Sequence, residues 1–362
     1  MVIKKQESIS QVLKNFISSR EDVEIAFLYS RQGFLITKYG KLKLDDIADE
    51  RARDQQYCVI SEIIEELLSK ISLEYQIGQF GTGSFETKNK QIVYLEAGPE
   101  GILLCVCNPD IDLNKFFPIA YLVVEKIAQI LEGSFDPEYN SLEIPDLNIS
   151  DNFSLELNHH AIDSSTSMDS KFKLIHHISS DKPRRHAFKL IVLGSAEVGK
   201  TTLVNSFLQK KQVSDYRPTL GISISTQPYY IQGFENELIK FLIYDLAGQE
   251  YFKLIRHKYY TGAKCVFVVY DITRRKTFNE AIDFWYKDAR QELGEIPFVL
   301  IGNKIDLEEQ RQVSKEEGMR KAEELSSFFI ETSALNNINI QDTFKLIGIG
   351  LFFKAFDKIK ED

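Results

Sequence analysis

The sequence is poor in cysteine, poor in net positive charge and without a long uninterrupted apolar run. Each lack excludes something. Its four cysteines are Cys58, Cys105, Cys107 and Cys265, with no CxxC pair, which fits a reducing compartment and structural thiols rather than a disulfide framework. Cys105 and Cys107 alternate along an apolar stretch, so they share one strand face and read as core filler ahead of metal ligands. His159-His160 and His176-His177 are adjacent pairs in polar surroundings, and sequence neighbours rarely converge on one metal. A formal net charge of -9 argues against general nucleic-acid binding, which needs clustered lysine and arginine. The most apolar late stretch, Leu346 to Phe356, is broken by Gly348, Gly350 and Lys354 and is too short for a bilayer. The start reads as polar helix, not as a signal peptide. Neither a terminal cysteine nor a glycine at position 2 is present, so no direct lipid anchor is expected. The expectation is a cytoplasmic protein recruited to membranes only through partners.

With 362 residues, 43% hydrophobic and 27% charged, the chain is long enough for two well-packed domains. The first, residues 1–132, shows helical spacing at Ile9, Val12, Leu13, Phe16 and Ile17. Strand candidates follow at Val23 to Tyr29 and Phe34 to Tyr39, joined by Arg31-Gln32-Gly33. A longer amphipathic helix, Arg53 to Ile71, carries Tyr57, Ile60, Ile64, Leu67, Leu68 and Ile71. Three strands near Tyr75 to Phe85, Gln91 to Ala97 and Ile102 to Cys107 lead to a helix over Leu113 to Leu131, with Pro118 in about its first turn and Gly133 at its end. The predicted order is αββαβββα, an α+β domain. Residues 133–185 are rich in Ser, Asp, Asn and Pro and read as a mostly flexible linker, although Leu155, Leu157, Phe172, Leu174 and Ile175 offer apolar points for docking. Residues 186–362 alternate strands and helices, which predicts an α/β domain with a mostly parallel sheet wrapped by helices and ligands at the strand carboxyl ends.

The chemistry clusters there. Gly194-Ser195-Ala196-Glu197-Val198-Gly199-Lys200-Thr201 is GxxxxGK[ST] between an apolar strand and a helix that Thr202 continues. Gly194 and Gly199 let the loop wrap without Cβ obstruction, so the N–H groups of Glu197, Val198, Gly199, Lys200 and Thr201 point at a phosphate. The helix adds its positive end. Lys200 supplies charge to the β and γ phosphates, and the Thr201 hydroxyl is placed for Mg²⁺. This loop alone says only nucleotide.

Asn303-Lys304-Ile305-Asp306, after the strand ending Leu300-Ile301, resembles the NKxD signature of Ras-like GTPases. A carboxylate accepts both the ring N1–H and the exocyclic amine of guanine, so the resemblance makes Asp306 the specificity residue. It implies that Asn303 braces the loops near the base and that the Lys304 stem covers its face. Glu331-Thr332-Ser333-Ala334-Leu335 resembles the last guanine loop of that family, with the Ala334 N–H on the guanine O6 and Ser333 and Leu335 beside it. Asp245-Leu246-Ala247-Gly248-Gln249-Glu250 resembles DxxGQ. By that resemblance Asp245 holds Mg²⁺ through a water, the Gly248 N–H bonds the γ-phosphate and Gln249 orients the attacking water. Tyr216-Arg217-Pro218-Thr219-Leu220-Gly221 looks like the first switch, where Thr219 adds a hydroxyl to Mg²⁺ and an N–H to the γ-phosphate. With Tyr259 to Ala263 and Tyr270 to Thr273, this half most resembles the Rab branch.

The departures bear on turnover. Ala196 stands where Ras has glycine, and its methyl points toward the space Gln249 or an incoming arginine needs, which predicts slow hydrolysis without a helper. Gln212 occupies a place often aromatic in the family, which leaves base stacking either weaker or taken over by Val213. Arg217 reads as solvated rather than as an internal arginine finger. The first domain, on its element order, resembles the Roadblock family of dynein light-chain-like domains, with a longin domain as the rival. That resemblance implies dimerisation or docking to a GTPase or scaffold, through the helix Arg53 to Ile71 and the strand near Gln91 to Ala97. The leading reading is a GTP/GDP switch with effectors, exchange factors and activating proteins as partners. The alternative is a nucleotide-locked scaffold; an ATPase is disfavoured by Asp306.

Overall fold

A computed structural model describes residues 2–30, 34–41, 82–86, 89–145, 171–174, 184–209, 222–231, 237–247 and 258–359. The helical stripe of the first segment becomes α1 (Val2–Ser18), which buries Ile9, Val12, Leu13, Phe16 and Ile17 completely. Six antiparallel strands follow: β1 (Val23–Ser30), β2 (Leu35–Gly40), β3 (Thr82–Glu86), β4 (Gln91–Ala97), β5 (Gly101–Cys107) and β6 (Lys171–Leu174). Their spatial order is β2-β1-β5-β4-β3-β6. The helix expected over Arg53 to Ile71 lies outside the described residues. α2 (Leu113–Glu132) packs beside α1 on the face that holds Val93, Leu95, Leu103, Cys105 and Cys107. The two thiols are therefore core residues. Pro118 sits in the second turn of α2 rather than the first, where it withholds one backbone donor from the helical ladder.

The segment expected to be mostly solvated linker departs from that reading in two places. Gly133, at φ +82°, lets the chain turn back, and the Gly133 and Ser134 N–H groups bond the Gln129 carbonyl. The chain then lays Ile144 into the core, with Phe135 and Leu142 against it. Further on, β6 pairs antiparallel with β3, in the register Phe85 to Phe172. The reason is that β3 would otherwise be a bare edge whose backbone groups seek partners.

The second sheet comprises β7 (Arg184–Leu193), β8 (Ile222–Tyr230), β9 (Glu237–Leu246), β10 (Cys265–Asp271), β11 (Phe298–Asn303) and β12 (Phe328–Thr332). Its order is β12-β11-β10-β7-β9-β8, and every pair is parallel except β8 with β9. Each residue of β10 and β11 is buried, as expected for strands covered on both faces. Leu190, Val192, Phe267, Val269 and Ile301 face α3 (Lys200–Phe207) and α7 (Ile340–Ile359). Ile191, Leu193, Val266, Val268 and Leu300 face the other layer. That layer contains α4 (Arg275–Glu280), a π-helical stretch (Ala281–Tyr286), α5 (Lys287–Leu293) and α6 (Lys315–Glu324). Among the described residues no helix is long and apolar enough to cross a membrane.

The two halves share one apolar core. It runs from α1 and α2 through α7 into the second sheet, with the Tyr121 and Phe353 rings 5.3 Å apart between α2 and α7. Phe344 of α7 stacks on Phe207 at 3.9 Å and meets Phe267 at 5.0 Å. Phe344→Ala should cost about 3–5 kcal/mol of unfolding free energy, read as a lowered denaturation midpoint.

Candidate functional site

In the second sheet the chain leaves β7 at a point where β9 lies on one side and β10 on the other. In an open α/β sheet that is the place where a ligand crevice is expected, outside the carboxyl ends of the strands. The glycine-rich loop Gly194 to Thr201 begins at that point and feeds α3. Gly194 has φ +142°, and a Cβ on it would stand 2.2 Å from the Val269 carbonyl oxygen. Gly199 has φ +97°, and a Cβ there would meet the Asn303 amide nitrogen at 2.3 Å. Both positions need glycine for conformation and for space. Glu197 also takes a positive φ, of 64°. Lys200 is buried, and its ammonium donates to the Gly194 and Ser195 carbonyls at 2.9 and 2.8 Å. Its charge thus sits at the centre of the loop.

Asn303, at the end of β11, is 1% exposed. Its amide nitrogen donates to the Val198 carbonyl at 2.8 Å, reaching the phosphate loop. Its Oδ1 accepts from the Thr332 hydroxyl at 3.1 Å and the Ala334 N–H at 3.0 Å, reaching the loop after β12. The Ala334 N–H, expected on a guanine O6, is therefore directed at Asn303 here. Asp306 follows in a 3₁₀ turn (Ile305–Gln310) and accepts from the Ser333 hydroxyl at 2.5 Å. Lys304 takes φ +74°, and its ammonium pairs with the buried Asp271 carboxylate at 2.7 Å. Its head is thus anchored on β10. Burial pushes the Asp271 carboxyl up, but hydrogen bonds from Lys304 and Thr273 outweigh it and hold the group below its ordinary value. Leu335 is exposed beside this cluster.

The Thr201 hydroxyl donates to Asp245 Oδ2 at 2.5 Å. Asp245 ends β9, is 1% exposed, and its Oδ1 has no hydrogen-bond partner among the described residues. A buried carboxylate oxygen without a donor is costly. Beside a hydroxyl, it is the kind of hard oxygen pair that a small divalent cation takes. Burial pushes the Asp245 carboxyl up, more than the Thr201 bond and the Lys200 charge bring it down. Thr202 follows on α3, partly exposed. Thr219, Gly248 and Gln249 lie outside the described residues, as do Gln212, Val213 and Arg217.

Several residues that hold this site were not singled out in the sequence. The Ser195 hydroxyl donates to Glu280 and accepts from the Trp285 indole N–H at 3.1 Å, fastening the phosphate loop to the helical layer. Arg274 donates to the Ala196 carbonyl at 3.1 Å and to Asp271 at 2.9 Å, with Glu197 at 3.5 Å. Glu197 is exposed and meets this cation, which is how a carboxylate is tolerated beside a phosphate cradle. Ala196 is exposed. The one sequence signal for this set is that Trp285 is the only tryptophan.

Asp245 yields a prediction with a definite sign. Its folded-state pKa is raised, so in metal-free protein the ionised form lowers stability, and stability falls as pH rises through that pKa. Asp245→Asn should melt higher than wild type near neutral pH without divalent ions, the difference closing as the medium is acidified. Adding Mg²⁺ should raise the wild-type midpoint and leave the variant nearly unmoved; thermal denaturation with and without the ion measures both.

Comparison with known proteins adds the lineage. The Ras family model matches residues 189–350. The Ras-related protein RABA5e of Arabidopsis thaliana is 38% identical over 178 residues, which is 48% of this chain and 80% of the relative. The Ras-related protein RABC2a of the same plant is 36% identical over 165 residues, 45% of this chain and 77% of the relative. Matched over most of the length of each relative, the chain belongs, through its second half, to the Ras family.

Proposed function

We propose that the second half is a guanine-nucleotide switch that binds GTP or GDP with Mg²⁺ and hydrolyses GTP to GDP and phosphate. The observation that carries this reading is the Asn303 side chain, which ties the phosphate loop to Thr332, at the start of the guanine loop, across the strand ends. There Asp306 accepts from the N1–H and amine of guanine, steadied by Ser333. Ala334 turns its N–H to the base oxygen when a base is present, with Leu335 flanking it. The N–H groups of Glu197 to Thr201 and the Lys200 ammonium surround the phosphates, with Gly194 and Thr202 flanking them. Thr201, Asp245 and Thr219 are the residues that would hold Mg²⁺, and the ion, when bound, neutralises charge building on the phosphate oxygens. Gln249 orients a water for attack on the γ-phosphorus; the bond to the bridging oxygen breaks and GDP departs, while the Gly248 N–H holds a γ-oxygen. Loss of that phosphate releases the two loops.

The first half is read as a Roadblock-like domain that mediates dimerisation or regulation. What supports this is the helix, hairpin, three-strand and helix order of its described elements. Effectors, exchange factors and activating proteins are the partners of such a switch.

Two measurements test the reading. Competition between GTP and ATP should favour GTP strongly in wild type, and Asp306→Ala should lose about 10²-fold or more of that preference, because a buried polar match is lost. Equal affinity of the wild type for both nucleotides would end the proposal. Single-turnover GTP decay should be slow in wild type and faster in Ala196→Gly. No wild-type decay over hours with Mg²⁺ present would instead identify a nucleotide-locked binding module.

A further inference from the structure

Away from the nucleotide crevice, four charged side chains and a phenol are gathered between the halves. Lys126 of α2 donates to both Asp342 carboxylate oxygens of α7, at 2.8 and 2.7 Å, and to the Ser141 carbonyl at 2.5 Å. Its neighbour Glu125 pairs with Lys345 of α7 at 2.7 Å and accepts from the Tyr229 phenol of β8. Lys126 and Asp342 are 1% and 2% exposed at the side chain, Lys345 and Glu125 8% and 9%. The quartet is neutral as a whole, two carboxylates against two ammonium groups. Burying such a set is tolerable only when every member is paired, so it specifies one seating of α2 on α7 rather than a range of them. Burial and the charge of Glu125 push the Tyr229 phenol up, which keeps it a donor.

Tyr229 is the member that reaches the switch. β8 begins at Ile222, shortly after Thr219, and β9 ends at Leu246, shortly before Gly248 and Gln249. The two strands pair in one register, Tyr229 opposite Ile239 at one end and Ser223 opposite Asp245 at the other. A pair of hydrogen-bonded strands moves as a unit, because a slip in register would turn every side chain to the wrong face. Whatever holds Tyr229 therefore holds Asp245 and the roots of both switch loops. A second contact touches the other end of the pocket: the Asn337 amide, three residues beyond Ala334, donates to the Glu138 carbonyl at 3.0 Å.

We infer that the first half is an in-chain regulator of nucleotide release, with Glu125 and Tyr229 as positioning residues that brace the β8–β9 hairpin against α2 and α7. This rests on the guanine-nucleotide reading above. Coupling is reciprocal, so the nucleotide state must in turn bias the seating of α2.

The test uses the full chain. Wild type, Tyr229→Phe and Glu125→Gln are loaded with a fluorescent GDP, and its release is followed in Mg²⁺ on addition of excess GDP. Tyr229→Phe removes one hydroxyl and leaves the ring, so the fold should persist, checked by an unchanged melting profile of the full chain. Release should quicken by about fivefold or more in both variants, the scale of ordinary allosteric coupling. Hydrogen exchange should also differ in α2 between GDP-loaded wild type and wild type loaded with a non-hydrolysable GTP analogue. Release rates within twofold of wild type, with α2 exchange blind to the nucleotide, would overturn the inference while leaving the switch reading intact. Failure of wild type to take up GDP at all would bring down both.

Discussion

The carboxamide of Asn303 is the joint on which the pocket depends. The glycine-rich loop after β7 and the loop after β12 are far apart in sequence and must be held at a fixed spacing. Asn303 solves this with one rigid group placed at the end of a fully buried strand: its nitrogen holds the Val198 carbonyl and its oxygen holds Thr332 and Ala334. Because the strand register fixes Asn303 beside Asp271 and Thr332, the spacing between the two loops is set by the sheet itself. Gly199 completes the constraint, since any side chain there would collide with that same amide nitrogen.

Electrostatics divides the crevice into regions of opposite character. Around Lys200 and Arg274 the loop presents cation and backbone N–H groups; at Asp245 it presents a buried carboxylate with an orphan oxygen. The carboxylates at Asp271 and Asp245 have opposite fates. Asp271 is stabilised as an anion by Lys304 and Thr273, whereas Asp245 is held in a setting that disfavours its own charge. The first is a structural strut. The second invites a cation.

What could be read from the residues alone depended on how far apart the partners lie. The phosphate loop is contiguous and its chemistry is local, so Gly194 to Thr201 were legible with their helix and strand flanks. Asp306 and Ser333 were legible because each sits in a short motif after an apolar strand. The Ser195 link to Glu280 and Trp285 spans 85 and 90 residues, and nothing in either stretch signals the other. The same is true of Lys126 and Asp342, 216 residues apart. One clue existed: α7 is rich in apolar residues that do not gather on one face, and a helix of that kind must be covered on more than one side. β6 was foreshadowed only by the apolar pair Phe172 and Leu174, because an edge strand's pairing lies in its backbone, which every sequence shares.

The common core across α2 and α7 also limits how the protein can be divided. A fragment cut between the two sheets would bare Phe353, Asp342 and Lys345 on one piece and Tyr121, Glu125 and Lys126 on the other. Each piece would carry a greasy face studded with charges deprived of their counterions. Such a surface neither dissolves well nor folds back on itself, so recombination of this Ras-family domain into other contexts would have to rebuild that seam along with it.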